Sequence, residues 1–186
     1  MFQRVIEKIA QNLDRNKIPY MVIGGQAVLL YGEPRFTKDI DVTLGIEPAH
    51  AEMLLSILPA MDFRPIVENP EEFLRETFVL PVEDRFSQLR IDFIFSLSDY
   101  ERLAITRAVP VLIGTSKVNY ITVDDLLIHK IIAGRPRDIE DAKSIMLKNS
   151  NHIAVDYVEK WLNEYDRELG TDFFAVLEKL RAANKL

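Results

Sequence analysis

The chain has 186 residues, with 23 Lys and Arg against 29 Asp and Glu, a formal charge of −6 and no cysteine. That length suits one domain, or one domain with a small appended lobe, and the 48% apolar and 28% charged shares place it among ordinary folded proteins. The missing cysteines exclude disulfides, a thiolate zinc site and a Cys nucleophile, and the acidic balance excludes a broad nucleic-acid clamp held by charge alone.

Apolar Val5, Ile6, Ile9, Ala10 and Leu13 recur at helical spacing, which predicts an amphipathic helix over 2–16 that stops before Pro19. This start is charged, unlike a secretion signal, and no apolar run approaches the roughly 20 residues that span a bilayer, so no membrane association and a cytoplasmic location are expected. Residues 20–25 read as a buried strand running into a Gly24-Gly25 turn, and 26–31 as a short helix stopped by Gly32-Glu-Pro34. A strand is expected over 39–44 and a helix over 48–60, with Pro48 early in it. Two β-rich runs, 76–81 and 88–95, are spaced as an antiparallel pair. A helix near 99–104 and short strands near 109–113 and 118–121 follow. From Thr122 the pattern is helical, over 123–133, 138–148, 153–168 and 172–183, with Gly134 and Gly170 as breakers. The chain therefore reads as an α+β core, residues 1–121, and a helical part, residues 122–186, packed against it with a cleft at the junction.

The chemistry concentrates in Gly24-Gly25-Gln26 and Arg35-Phe-Thr37-Lys-Asp39-Ile-Asp41. Side chains two apart on a strand share a face, so Asp39 and Asp41 stand roughly 6.5–7 Å apart at Cα on one side. Two like charges there repel, and a divalent cation with carboxylate ligands resolves the repulsion. With fourteen aspartates in the chain, one Asp-x-Asp arises by chance, so the weight rests on its context after a strand, Gly-Gly and a short helix. Glycines let the backbone approach an anion, and the helix start offers N–H groups to phosphate. Asp92, among Ile91, Phe93, Ile94 and Phe95, is the third carboxylate a two-metal site needs; its alternative is a plain ion pair with Arg90 or another basic residue. A regular strand is expected to turn Arg90 to the side opposite Asp92. Asp138 and Asp141, three apart, share a helix face near Lys130, Arg135 and Arg137, either as a salt-bridged surface or as positioning groups for those cations, Asp138 above all.

The Gly-Gly turn, Arg-x-Thr-x-Asp-x-Asp and Arg-x-Asp, in this order, resemble the nucleotidyltransferases of the DNA polymerase β superfamily. The segment from His129-Lys130 through Arg135-Pro-Arg137-Asp138 to Asp141 resembles the abortive-infection (AbiEii) type. The resemblance implies a nucleotidyltransferase-like mixed sheet with flanking helices. It implies Gly24, Gly25, Lys130, Arg135 and Arg137 for nucleotide phosphate, and Asp39, Asp41 and Asp92 as catalytic ligands of two Mg²⁺ ions, with Mn²⁺ as a substitute. The implied reaction moves a nucleoside monophosphate from an NTP to an acceptor hydroxyl on an RNA 3′ end such as tRNA, a protein or a small molecule, and the toxin relatives imply an antitoxin partner. At Gln26 the sequence departs from the Ser of many relatives. That departure supports the competing reading, a nucleotide-binding or regulatory partner that keeps the fold without turnover.

Overall fold

The computed structural model describes residues 1–184. Its contacts divide the chain into two compact units, one made of Met1–Gln26 and Phe36–Ile121, the other of Ala27–Arg35 and the chain from Thr122 onward.

The first unit holds seven strands: β1 Tyr20–Val22, β2 Asp39–Leu44, β3 Phe63–Pro65, β4 Val79–Asp84, β5 Arg90–Phe95, β6 Val109–Ile113 and β7 Ser116–Tyr120. They form one mixed sheet in the order β3-β4-β5-β2-β1-β7-β6, with β2·β5 and β1·β7 parallel and the other neighbours antiparallel. The edge strands β3 and β6 carry Pro65 and Pro110, each lacking an N–H, and so are poor templates for pairing with another chain. Period-2 burial orients the centre of the sheet. Ile40, Val42 and Leu44 on β2 and Ile91, Phe93 and Phe95 on β5 are buried, each contributing about 1.5–3 kcal/mol as an upper estimate, while Asp39, Asp41, Arg90 and Asp92 stand between them and stay partly or fully exposed.

Helix α1, Phe2–Arg15, buries Val5, Ile6, Ile9, Ala10 and Leu13 and packs on β7, as its apolar spacing predicts. Lys8, on the same helix, donates to Met61 O and Asp84 Oδ1, both at 2.9 Å. Burial alone would raise the Asp84 pKa, but Lys8 and the Ser87 hydroxyl and N–H hold it below the usual carboxylate value. The expected 48–60 helix is α3, Ala51–Ile57, with a tight 3₁₀ turn at each end. The 76–81 run divides: helix α4, Pro70–Thr77, ends where Phe78 turns left-handed (φ 59°), and the strand begins at Val79. The antiparallel pairing of that strand with β5 is as the spacing predicts. Helix α5, Asp99–Arg107, starts at a full capping box between Ser98 and Glu101.

The second unit contains α6 Val123–Ala133, α7 Pro136–Asn149, α8 Val155–Leu169 and α9 Phe173–Asn184. Thr122 caps α6 by accepting the Asp125 N–H, and Gly134 (φ 63°) ends that helix in the left-handed conformation. Asp166 accepts the Phe173 and Phe174 N–H groups at the start of α9; although burial opposes it, these bonds and the one from Thr171 keep its pKa low. Helix α2, Gly24–Tyr31, contributes its first turn to the sheet unit and the rest to this one, where Asn149 donates to Tyr31 O at 2.7 Å and Lys148 to Gly32 O at 3.0 Å. The polar Ser144 packs so tightly on Gly32 that a Cβ there would come within 2.7 Å of its Oγ. No helix among the described residues is long and apolar enough to cross a membrane.

Candidate active site

The parallel β2·β5 register sets Asp41 beside Asp92 and Asp39 beside Arg90. Because alternate residues share a face, Asp39, Asp41 and Asp92 converge, each offering a carboxylate oxygen within 4.8 Å of the other two. All three are partly exposed. Thr37, nearly buried, donates its hydroxyl to Asp39, 3.2 Å from its carbonyl and 3.3 Å from Oδ1, and so fixes the entry of β2 and the orientation of its first carboxylate.

The Gly-Gly turn lies against the same cluster. After β1, the Ile23 N–H donates to Asp41 O at 3.0 Å, which ties the turn to β2. Gly24 then has φ +59°, and a Cβ on it would fall 1.9 Å from Asp41 Oδ2. Both the conformation and the space therefore require glycine. The helix starts at Gly24 itself, two residues earlier than expected, so its unsatisfied N–H groups begin beside the carboxylates. Gln26, in this first turn, is 6% exposed, and its side-chain nitrogen has no hydrogen-bond partner among the described residues. A buried donor left unmade costs about 1–3 kcal/mol.

One expectation is overturned. Arg90 does not face away from Asp92: its Nε lies 2.9 Å from Asp92 Oδ1. The reason is the strand period of two, which puts residues 90 and 92 on one face; sequence neighbours alternate, and these are not neighbours. The hydrogen bond to Asp92 raises the Arg90 pKa above its ordinary value, and the charges of Asp92, Asp39 and Asp41 add to this against the opposing effect of burial. Asp92 is therefore both a member of the carboxylate cluster and the partner of Arg90.

The helical residues form a separate network in the second unit. Asp141 accepts Arg35 through both oxygens, each at 2.9 Å, and Lys130 Nζ at 2.9 Å. The same Lys130 ammonium donates to Asp138 Oδ1 at 2.8 Å, and Asp138 also accepts the Arg135 guanidinium. Lys130, Asp138 and Asp141 side chains are only 4–6% exposed. Burial alone would raise the Asp138 pKa, but Arg135 and Lys130 bring it below the usual carboxylate value. Two of the three Lys130 donors are thus committed to carboxylates, whereas Arg137 is exposed and makes no ion pair among the described residues. The role of Arg35 as a partner of Asp141 escaped sequence reasoning, since 106 residues separate them.

An all-oxygen, anionic donor set beside a glycine turn and a helix start fits a hard divalent cation with a phosphate ligand. The sequence matches, over residues 1–181, the family described as "Nucleotidyltransferase of unknown function (DUF6036)", and the chain belongs to that family. Solved structures share the fold. An antigenic nucleotidyltransferase-like protein from Paracoccidioides brasiliensis is 18% identical with a TM-score of 0.59, over 95% of this chain and 91% of that one. The structure of ANT(2″)-Ia in complex with adenylyl-2″-tobramycin is 17% identical with a TM-score of 0.56, covering 98% and 96%. The lincosamide antibiotic adenylyltransferase LnuA, lincomycin-bound, is 16% identical with a TM-score of 0.53, covering 76% and 94%. Among curated proteins, no sequence matches. The superfamily resemblance is thereby supported, and the match is to this family rather than to the abortive-infection type as such.

Proposed function

We propose that this enzyme transfers a nucleoside monophosphate from an NTP to an acceptor hydroxyl and releases pyrophosphate. The observation that carries the reading is the meeting of Asp39, Asp41 and Asp92 against the Gly24 turn. In it, Asp39, Asp41 and Asp92 hold the divalent ions, Mg²⁺ or Mn²⁺, and Thr37 keeps Asp39 oriented toward them. When bound, such ions lower the pKa of an attacking hydroxyl and neutralise the leaving pyrophosphate. The backbone N–H groups after Gly24 and Gly25 donate to the triphosphate at the start of the helix. Of the basic residues proposed for phosphate, Arg137 has the donors to spare, and Asp138 serves Lys130 and Arg135 as a positioning group. Catalysis by such a set is electrostatic and in-line, without a covalent intermediate on the protein.

For the acceptor we propose a small hydroxylated molecule, since ANT(2″)-Ia is in complex with adenylyl-2″-tobramycin and the lincosamide antibiotic adenylyltransferase LnuA is lincomycin-bound. The test supplies each α-labelled NTP with Mg²⁺ to the protein together with pools of small polyhydroxylated compounds, total RNA including tRNA, and cellular protein. Label in the small-molecule pool, lost in Asp39→Asn and Asp41→Asn, is the expected result. Label on RNA or protein would instead move the reading toward the toxin relatives, and growth arrest on expression, relieved by a neighbouring gene product, would supply the antitoxin. Thermal stabilisation by metal and NTP with no labelled pool would assign the non-catalytic binding role.

A further inference from the structure

We propose that Arg90 is a built-in counter-cation of the carboxylate cluster: it neutralises Asp92 while no divalent ion is bound, and competes with that ion for the cluster. The inference rests on the metal-binding reading above. The register gives Arg90 a place at the cluster's corner, directly across from Asp39 on β2 and two residues before Asp92 on its own strand. From there its Nε reaches Asp92 Oδ1 at 2.9 Å. Three carboxylates this close repel one another, and a guanidinium supplied by the same strand lowers that repulsion without any ligand.

The contact is also easy to release. The Arg90 side chain is 54% exposed, whereas the Lys130 ammonium, in the helical network, is enclosed at 6%. A half-exposed arginine leaving a carboxylate regains water on most of its surface, so the pair is weak enough to yield to a dication. A guanidinium that stays on Asp92 withdraws charge from that carboxylate and repels the incoming ion. Arg90 therefore lowers the cluster's affinity for the ion and offsets part of the carboxylate repulsion while the ion is absent.

The experiment is titration of the metal-free protein with Mg²⁺ and Mn²⁺ alone, by calorimetry, for the wild type, Arg90→Gln and Arg90→Lys. Arg90→Gln is expected to bind the ion about five-fold more tightly, the worth of one partly exposed ion pair. Arg90→Lys, which keeps the charge but not the planar Nε–H, should fall between the two proteins. In the wild type, saturating Mg²⁺ should raise the rate at which a dicarbonyl reagent modifies Arg90, read by peptide mapping, and this arm does not depend on any variant folding. Equal or weaker binding by Arg90→Gln, or an Arg90 no more reactive with the ion bound, overturns the counter-cation and leaves the metal site standing. Absence of binding in the wild type and in both variants overturns the metal-binding reading and the inference together.

Discussion

On β2 and β5, three carboxylates and the Arg90 guanidinium share a partly open site, whereas on α7 two buried carboxylates are shared by Lys130, Arg35 and Arg135. The helical network closes on itself: each carboxylate has its bonds, and the ammonium between them is nearly shut from water. Such a network is costly to desolvate and worse to break, so it fixes the positions of the elements that carry it. The sheet cluster stays partly exposed, and the repulsion among its carboxylates is a cost that a bound cation would remove, so on the proposed reading similar residue types serve architecture in one place and a ligand in the other.

That contrast predicts opposite responses to similar substitutions. On the proposed reading, Asp41→Asn removes a metal ligand and a repulsive charge together. Nucleotidyl transfer should fall by about 10³-fold or more, corresponding to roughly 4 kcal/mol of lost transition-state stabilisation, while the metal-free melting temperature holds or rises. Lys130→Met strands Asp138 and Asp141 without their shared ammonium and should lower stability by about 3–5 kcal/mol, measured by urea unfolding. If Asp41→Asn destabilised the metal-free protein as much as Lys130→Met, the two clusters would be alike and the distinction would fail. Gly24→Ala comes next: it forces a Cβ into Asp41 at a positive φ, with about 1–3 kcal/mol of strain and displacement of the carboxylate, so both melting temperature and metal affinity should drop.

The sheet cluster was legible in the sequence and the helical network much less so, for a physical reason. Asp-x-Asp on a strand with Ile40 and Val42 between announces its own face by a period of two, and Asp92 stands out as a charge in an apolar run. The same period gives the Arg90–Asp92 contact, and the expectation of opposite faces misapplied it. Helix α4 and strand β3 were hidden because Phe73 and Leu74 alone cannot declare a helical stripe, and a strand of Phe63, Arg64 and Pro65 is too short to show alternation. The grouping of Ala27–Arg35 with the C-terminal helices rests on Arg35 meeting Asp141 and Gly32 packing on Ser144, contacts across more than a hundred residues that no local pattern encodes.

Acidification sharpens the comparison at smaller amplitude. The folded pKa of Asp138 lies below its ordinary value of 3.8, so its contribution is complete above that value and is lost as pH falls through the lower folded one. Asp138→Asn should therefore cost most at neutral pH, and the gap between its unfolding free energy and that of the wild type should narrow below about pH 4. Arg135→Gln isolates what burial adds. Its guanidinium bonds the same Asp138 as Lys130 does, but its side chain is 75% exposed, against 6% for Lys130. Water screens the outer pair and solvates whatever is left unpaired, so the loss should stay at or below about 1 kcal/mol, several-fold less than for Lys130→Met. Measured side by side by urea unfolding, equal losses from the two substitutions would show that Asp138 is anchored from outside, and that the enclosed ammonium is not the centre of the network.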